Sequence, residues 1–317
     1  MTKITSSLFI ATLLGLFLHV ATAQAQLVRT CVSMAKGNDA NSSSFCHCTT
    51  PCRTFATAHN NTLPDGEITV LDPGDYGGLT ITKSISINND SGGEASITVS
   101  GFTTGIIVNA PSGGYVNLRG LTIQGVGFGL GTGLRFNTGF ALTVTNCVIR
   151  NLTGNGIEFL SSSNSHLSVS NTLVADNGGS GILVQPGAGA NAQTVLSRVK
   201  AYNNSVSGIR IQTGSGSTST GTIKAIATDS VAANNGAAGF HLDSSAGFVI
   251  SDFMVVRSVA ANNGTGIAVG SGTATLRVGQ STVTGNATST VGVSSYGDNY
   301  INGNGDGDPA PATIAKK

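Results

Sequence analysis

The side chains best suited to chemistry stand in two short segments, GIRIQ and GFHLD, which occupy the same place in neighbouring repeats. The first segment contributes Arg210 and Gln212, and the second contributes His241 and Asp243. Arginine, amide and carboxylate groups in one row suit sugar hydroxyls or uronate carboxylates, because they form bidentate and charge-assisted hydrogen bonds. We therefore predict a ligand-binding surface at these residues. The alternative is an ordinary solvated surface that carries polar side chains.

A repeat sets the positions of these residues. The phrase VAANNG stands at residues 231–236 and again at residues 259–264, and a glycine that precedes an apolar pair recurs at intervals of 23 to 31 residues. This glycine stands at Gly105, Gly133, Gly156, Gly181, Gly208, Gly239, Gly266 and Gly292. Periods of this length are typical of solenoids, in which each repeat buries its apolar face against its neighbours.

Short runs within the repeats alternate apolar and polar residues with the period of a β-strand, for example ALTVTN at 141–146 and ATLRVG at 274–279. Helical periodicity is absent from residues 66–302. Strand-only repeats of this size predict an all-β, single-domain parallel β-helix of about nine coils. In such a fold each strand pairs with its counterpart one coil later.

Arg135 and Glu158 are the counterparts of Arg210 in earlier repeats, and we assign both to the same ligand-binding surface. Counterparts in successive coils lie about 4.8 Å apart, so Glu158 and Asp243, three coils apart, are separated by about 14 Å. The two carboxylates of a glycosidase flank one bond at roughly 5–10 Å. We therefore disfavour a hydrolase that uses two carboxylates.

Asparagines recur at one bend of the predicted coil, at Asn177, Asn203, Asn235, Asn263 and Asn286. Asparagine tolerates the left-handed backbone of a sharp bend, and its amide can donate and accept hydrogen bonds along a stack. We predict a structural asparagine ladder that satisfies backbone groups at the bend, and no chemistry. At another bend, Asp229 and Arg257 occupy equivalent positions, which predicts a surface ion pair.

Four of the five cysteines precede the first coil, at Cys31, Cys46, Cys48 and Cys52. In an exported protein this density predicts two disulfides that hold a loosely packed segment together, and the pairing stays open. The alternative is a zinc site formed by Cys46, His47, Cys48 and Cys52, although its CxC spacing differs from the usual CxxC. We predict that Cys147 is a small buried side chain within a coil.

Residues 1–25 have the pattern of a secretory signal peptide, with an early lysine, an apolar run from Leu8 to Val20 and small residues near the end. We therefore expect a protein that is secreted, periplasmic or on the cell surface. No later apolar stretch suggests insertion into a membrane. The formal net charge of +1 provides no basic surface for phosphates, so we expect no nucleic acid as a partner.

The segment PCRTFATAHNNTLPDGEITVLDPGDYGGLTITKSISI, residues 51–87, resembles the entry segment of right-handed parallel β-helix proteins of the pectate-lyase-like superfamily. In that pattern a short helix precedes a G-x-I-x-V strand, a P-G-x-Y turn and an L-T-I-x-K-S-I-x-I coil, here Gly66–Val70, Pro73–Tyr76 and Leu79–Ile87. SSYGDNYINGNGDG, residues 294–307, resembles the closing coil of exported bacterial β-helix proteins. The resemblance implies a right-handed coil with a short N-terminal helix as its cap, but no single activity.

The resemblance also indicates what an active site would need. Lyases of this superfamily use acidic calcium clusters and a basic proton acceptor, and its glycosidases use two or three close aspartates. The only D-x-D of this sequence is formed by Asp306 and Asp308. We expect no metal and no other cofactor, with calcium near Asp306 and Asp308 as the alternative.

The sequence therefore favours an exported parallel β-helix that contacts polysaccharide and has no recognisable catalytic centre. One alternative is a lyase or epimerase that acts on uronate polymers, with Arg210 or His241 as the proton acceptor. Another is a structural or adhesive surface rod. The expected organisation is a signal peptide at 1–25, a cysteine-stapled cap with a short helix at 26–65, the β-helix at 66–303 and a flexible C-terminal tail at 304–317.

Overall fold

The computed structural model describes residues 27–40, 46–101, 103–126, 131–187, 189–213, 221–244, 251–270 and 274–316. The predicted signal peptide at 1–25 lies outside the described residues. Within the described ranges, no helix is both long and apolar enough to cross a lipid bilayer.

The strands of the described residues wind through three parallel sheets, and each pairs with its counterparts in neighbouring coils. Sheet I contains twelve strands, β1 Leu27–Val32, β2 Thr62–Val70, β5 Ile85–Asn88, β8 Tyr115–Arg119, β11 Ala141–Thr145, β14 Ser165–Ser170, β17 Ala192–Ser197, β20 Ile223–Thr228, β23 Asp252–Val256, β26 Thr275–Gly279, β29 Ser294–Ser295 and β31 Ala312–Thr313.

Sheet II contains ten strands, β3 Gly74–Asp75, β6 Ala95–Val99, β9 Leu121–Gly125, β12 Val148–Arg150, β15 Leu173–Ala175, β18 Lys200–Tyr202, β21 Val231–Ala233, β24 Val259–Ala261, β27 Thr282–Thr284 and β30 Tyr300–Ile301. Sheet III contains nine strands, β4 Leu79–Ile81, β7 Thr104–Asn109, β10 Thr132–Thr138, β13 Ile157–Phe159, β16 Ile182–Val184, β19 Ile209–Gln212, β22 Ala238–Asp243, β25 Thr265–Val269 and β28 Thr288–Val291. The predicted all-β parallel β-helix is confirmed.

Inward-facing apolar residues stack in columns along the coil. In sheet III, Ile182 pairs with Ile209 and Ile209 pairs with Phe240, and all three are fully buried. Phe136 and Phe159 stack in neighbouring coils with ring centroids 4.6 Å apart. Because burial stabilises the fold by about 25 cal/mol per Å² of apolar surface, each coil depends on contact with its two neighbours.

A cap covers the first coil. Strand β1 pairs with β2, so sheet I begins inside the segment that we expected to be a separate cap at 26–65. Helix α1, Phe55–Asn61, begins after Thr54, whose hydroxyl accepts a hydrogen bond from the Thr57 amide. Phe55 packs on Tyr76 with ring centroids 5.1 Å apart. This contact covers apolar core that the first coil would otherwise expose.

The four cysteines of the cap form two disulfides, Cys31–Cys48 and Cys46–Cys52. The predicted disulfides are confirmed, and the zinc alternative is wrong because all four sulfurs are bonded in pairs. Cys31 lies in β1, so one bridge joins the cap to sheet I. Cys147 is a buried free cysteine, and burial raises the pKa of its thiol to about 11.

A buried asparagine ladder runs along the bend between sheets II and III, formed by Asn177, Asn204, Asn235, Asn263, Asn286 and Asn304. Each Nδ2 donates to the Oδ1 of the next asparagine at 2.9–3.0 Å. At Asn235, Oδ1 also accepts the backbone N–H of Asn204, and Nδ2 also donates to the Ala201 carbonyl. The ladder therefore satisfies backbone groups that the bend removes from the sheets.

The assignment of Asn203 to this ladder is wrong, because the ladder residue of that coil is Asn204. Asn203 is exposed, has a left-handed φ of 52°, and donates to Asp176 Oδ1 at 2.9 Å. Its counterparts Asn234 and Asn262 are left-handed as well. The bend thus divides two properties of asparagine between successive residues: the first adopts the left-handed backbone and the second stacks.

A ladder of hydroxyl groups, formed by Ser230, Ser258 and Ser281, has the same role at the bend between sheets I and II. Thr172 occupies this position two coils before Ser230, and the buried Val199 occupies it in the coil between them. Ser230 Oγ, for example, accepts the Val199 N–H and donates to the Thr228 carbonyl. Cys147 occupies this position in an earlier coil, one residue before the start of β12. Its burial thus follows from its place in the bend.

The predicted ion pair between Asp229 and Arg257 is present on the outside of this bend. Arg257 Nε lies 2.8 Å from Asp229 Oδ1, and Arg257 Nη2 lies 3.0 Å from Oδ2. The hydrogen bonds from Arg257 lower the pKa of Asp229. Both side chains are exposed, so water screens the pair and its contribution to stability is small.

The C-terminal residues close the last coil. Asp308 accepts hydrogen bonds from the backbone and side-chain amides of Asn304, and Asp306 Oδ2 accepts from the N–H and the hydroxyl of Ser289. Strand β31 pairs with β29. Residues 304–316, which we expected to form a flexible tail, therefore contribute to the fold, because hydrogen bonds tie them to sheet I and to the ladder.

The two adjacent asparagines of VAANNG allow a matched test of the ladder. Replacing Asn235 by Ala should lower the free energy of unfolding by about 1–3 kcal/mol, because buried partners lose their acceptor. Asn234→Gly should change it by less than about 0.5 kcal/mol, because an exposed glycine tolerates the left-handed backbone. Urea unfolding followed by circular dichroism measures both. Equal losses of unfolding free energy in Asn235→Ala and Asn234→Gly would contradict the structural role of the ladder.

Candidate functional site

The four residues predicted to bind ligand lie on the outer face of sheet III. Arg210 pairs with His241, and Gln212 pairs with Asp243, on the adjacent strands β19 and β22. Their neighbours along the strands are fully buried apolar residues, Ile209, Ile211, Phe240 and Leu242. Because side chains alternate between the two faces of a strand, the four polar residues point outward together.

Arg210 is not a free cation. Its Nη2 donates to Asp243 Oδ2 at 2.7 Å, across the diagonal of the two pairs. The side chains of Arg210 and Asp243 are 26% and 28% exposed. Arg210 Nε is buried and has no hydrogen-bond partner among the described residues. The expectation that Arg210 is free to hold a ligand carboxylate is therefore corrected, because Asp243 already neutralises it.

His241 lies beside this ion pair as a half-buried imidazole. Burial lowers its pKa, the charge of Arg210 lowers it further, and Asp243 opposes both effects. Its Nδ1 is buried and has no hydrogen-bond partner among the described residues. The lowered pKa favours the neutral imidazole over the charged one.

Small residues border this cluster in the next coil. Ala268 pairs with His241. A Cβ added at Gly270 would lie only 2.7 Å from Asp243 Oδ1, so glycine at 270 allows the next strand to approach this carboxylate closely. The side chain of Asp243 remains 28% exposed, and its carboxylate can accept a hydrogen bond from a ligand.

Glu158 is buried, which corrects the expectation that it faces a ligand. It is 8% exposed, and its carboxylate accepts hydrogen bonds from Arg135 Nε at 2.6 Å and from Asn155 Nδ2 at 2.7 Å. Asn155 follows the bend before β13 and was not singled out from the sequence. These partners give Glu158 a structural role, because a buried carboxylate requires charged and hydrogen-bonding partners. Three strand-to-strand steps separate its strand from that of Asp243.

Within the described ranges, no group of three or more histidine, cysteine, aspartate or glutamate residues could hold a metal ion. The carboxylates of Asp306 and Asp308 accept hydrogen bonds from Ser289, Gly303 and Asn304. These bonds explain their position at the end of the coil. Gln212 contributes an uncharged amide beside Asp243, and Arg135 remains 39% exposed next to Glu158.

The lowered pKa of His241 predicts a pH dependence of stability. The unfolded chain binds a proton near pH 6.5, whereas folded His241 resists protonation, so acidification below that pH favours unfolding. His241→Gln removes this effect. We expect the variant to lose less stability than the wild type between about pH 7 and pH 5, while the difference stays constant above about pH 7.5. Urea titrations at each pH measure the free energy of unfolding of both proteins. If this free energy falls equally in the wild type and in His241→Gln on acidification, the lowered pKa of His241 is contradicted.

Residues 104–305 match the family model described as a right handed beta helix region. Pectate lyase Pel9A is similar in structure, with a TM-score of 0.63 and 18% sequence identity, over 84% of this chain and 74% of that chain. The A-module of the mannuronan C-5 epimerase AlgE6 from Azotobacter vinelandii is similar with a TM-score of 0.56 and 18% identity, over 78% of this chain and 70% of that chain. No curated protein matches the chain in sequence.

At this level of identity the two solved structures show a shared fold and leave the activity open. The family match covers more than half of the chain and coincides with the parallel coils of the three sheets. It also agrees with the right-handed coil predicted from residues 51–87. The chain therefore belongs to the right-handed β-helix family and has the pectate-lyase-like fold.

Proposed function

We propose that this protein binds polysaccharide along the outer face of sheet III, at Arg210, Gln212, His241 and Asp243. The observation that carries the proposal is the Arg210–Asp243 pair, whose side chains remain 26% and 28% exposed on the outer face of the sheet. Arg210 retains N–H donors and Asp243 retains an acceptor oxygen beside them. Neighbouring donors and acceptors on a rigid sheet suit adjacent hydroxyl groups of a sugar.

The class of ligand is supported by the fold. The solved structures that resemble this chain are named as a pectate lyase and a mannuronan epimerase, which act on polysaccharides. Counterparts in neighbouring coils of a sheet lie about 4.8 Å apart. A polymer that runs along the coil axis therefore meets a new row of side chains at each step.

The charges of this face are balanced. Arg135 is paired with Glu158, and Arg210 is paired with Asp243. Screening by salt weakens attraction between unpaired charges, but it has little effect on hydrogen bonds at a neutral surface. We therefore propose recognition through hydroxyl groups, with an affinity that changes little with ionic strength.

Arg210→Ala tests this proposal, because it removes donors from the centre of the site. We expect the dissociation constant for pectate or mannuronan to rise by about tenfold or more, since a hydrogen bond to a charged group is worth about 1.5–3 kcal/mol. Arg257→Ala is the matched control, because it removes an arginine from an ion pair away from sheet III, at the bend between sheets I and II. Calorimetric titration at low and high salt gives the affinities.

Two results would count against binding on sheet III. The first is a wild-type protein that binds no polysaccharide in a broad glycan panel. The second is a double variant, Arg210→Ala with Gln212→Ala, that keeps wild-type affinity for every polymer that binds. Thermal unfolding of each variant provides the folding control.

A second candidate function is a lyase or epimerase on uronate polymers, and the neutral state of His241 favours it. A neutral imidazole can accept the proton from the carbon next to the uronate carboxyl group. Arg210 is a poor acceptor, because its guanidinium stays protonated and is paired with Asp243. His241 would then be the base and Arg210 would contact the substrate.

His241→Gln tests this second function. Lyase action yields an unsaturated sugar that absorbs ultraviolet light, and epimerase action exchanges the C5 proton with deuterium from the solvent. We expect either signal from the wild type to disappear in the variant, while polymer binding persists. If the wild type binds pectate or mannuronan and produces neither signal, the protein is a binding module.

We also propose that the protein works outside the reducing cytosol. The support is the pair of disulfides in the cap, because such bonds form and persist in oxidising compartments. The signal peptide predicted at 1–25 would direct this export. Fractionation of cells that express the full chain, followed by mass determination of the mature N-terminus, tests both points.

A further inference from the structure

We infer that the outer face of sheet I carries a second saccharide-contacting surface, an aromatic platform made of Tyr115, Phe140 and His166. It takes the apolar C–H face of an uncharged sugar ring. This inference goes beyond the binding proposed for sheet III, because it concerns a different sheet, different residues and a neutral ligand.

Three consecutive coils bring the rings together. Tyr115 on β8 pairs with Ala141 on β11, and Ala141 pairs with His166 on β14. The ring of Phe140, the residue before β11, contacts both aromatic neighbours. Its centroid lies 5.2 Å from that of Tyr115 and 4.8 Å from that of His166. These are favourable separations for aromatic pairs, so the three rings hold one another in place.

The platform is apolar and open to solvent. Tyr115 is 53% exposed, and Phe140 and His166 are half-buried. The small side chain of Ala141 lies between Tyr115 and His166 in the register of the strands. The backbone at Gly113, two residues before Tyr115, is also open, since a Cβ added there would meet no atom within 4 Å. A stacked ligand would remove apolar surface from water.

Amide side chains border the platform. Gln193 on β17 is exposed and pairs with His166. Asn164, two residues before His166, accepts the Asn191 N–H through Oδ1, and Asn191 accepts the Thr222 N–H in the same way. These bonds hold both amides in place and do not use their NH₂ donors. Aromatic surface beside oriented amides can bind the C–H face and the hydroxyl groups of a sugar.

The charges around the platform favour a neutral glycan. Apart from the titratable His166, no charged side chain belongs to the described platform or its amide border. The next residue along this column is Lys224, one coil beyond Gln193. A nucleic acid or a strongly anionic polymer needs several cations along its path. Stacking on aromatic rings needs none, because it depends on apolar contact and on the partial charges of the rings.

The histidines make the two surfaces separately observable by nuclear magnetic resonance. His166 belongs to the platform and His241 belongs to the proposed site on sheet III, while His59 is buried in the cap. The experiment follows their imidazole signals, assigned with His→Gln variants, during titration with neutral oligosaccharides of glucose, mannose and galactose. Pectate oligosaccharides are titrated separately.

We expect at least one neutral oligosaccharide to shift the His166 signal and to leave the His59 signal in place. If no neutral oligosaccharide shifts the His166 signal, the inference is overturned, whatever occurs at His241. A shift of the His241 signal reports on the sheet III proposal alone. The failure of one proposal is therefore distinguishable from the failure of the other.

Substitution of Tyr115 supplies the second measurement. Tyr115→Ala should weaken neutral oligosaccharide binding about five- to tenfold, and Tyr115→Phe should keep it within about twofold because the ring remains. Tyr300→Ala is the matched control, because it removes a tyrosine that is 76% exposed on sheet II. Thermal unfolding should be unchanged, since Tyr115 is exposed. Wild-type affinity of Tyr115→Ala for neutral oligosaccharides would contradict binding at the platform.

Discussion

The bends between sheets I and II and between sheets II and III take backbone N–H and C=O groups out of the sheets, and stacked polar side chains supply partners to them there. Asn235 shows how: its oxygen accepts from the preceding coil while its NH₂ group donates to the following asparagine and to a carbonyl. Buried groups left without partners would cost more than most single contacts contribute. Consecutive ladder residues are 18 to 31 positions apart in sequence, yet the hydrogen bonds between them are alike. Coils of different length therefore differ in other parts of the coil and not at this bend.

The two ladders share one local unit, a left-handed residue followed by a buried polar one. Asn234 precedes Asn235 between sheets II and III, and Asp229 precedes Ser230 between sheets I and II. The left-handed residue is exposed and can vary, since Arg257 also occupies it with a φ of 47°. The buried residue is polar at Ser230 and Asn235, where its side chain both accepts and donates hydrogen bonds, but apolar at Val199, which follows the left-handed Arg198.

Because ladders and apolar columns stabilise the interior, the outer faces are free to differ. On sheet III, Arg210 and Asp243 neutralise each other, and both side chains stay partly exposed. On sheet I, the ring of Phe140 contacts the rings of Tyr115 and His166 beside the small side chain of Ala141. In both places, side chains from different coils form a contact on an outer face that remains partly exposed.

The sequence alone was enough to predict the coil, because period-two alternation and a repeat of 23 to 31 residues are compatible with few folds. It also determined which residues of β19 and β22 share a column, since register follows from the recurring glycine. It could not decide between Asn203 and Asn204, because either amide can stack and only the path of the bend selects the buried one. The burial of Glu158 could not be predicted from the sequence, since Arg135 from the preceding coil and Asn155 from the bend meet its carboxylate only in the folded chain. Such contacts depend on side-chain reach between coils, which the order of residues along one chain does not contain.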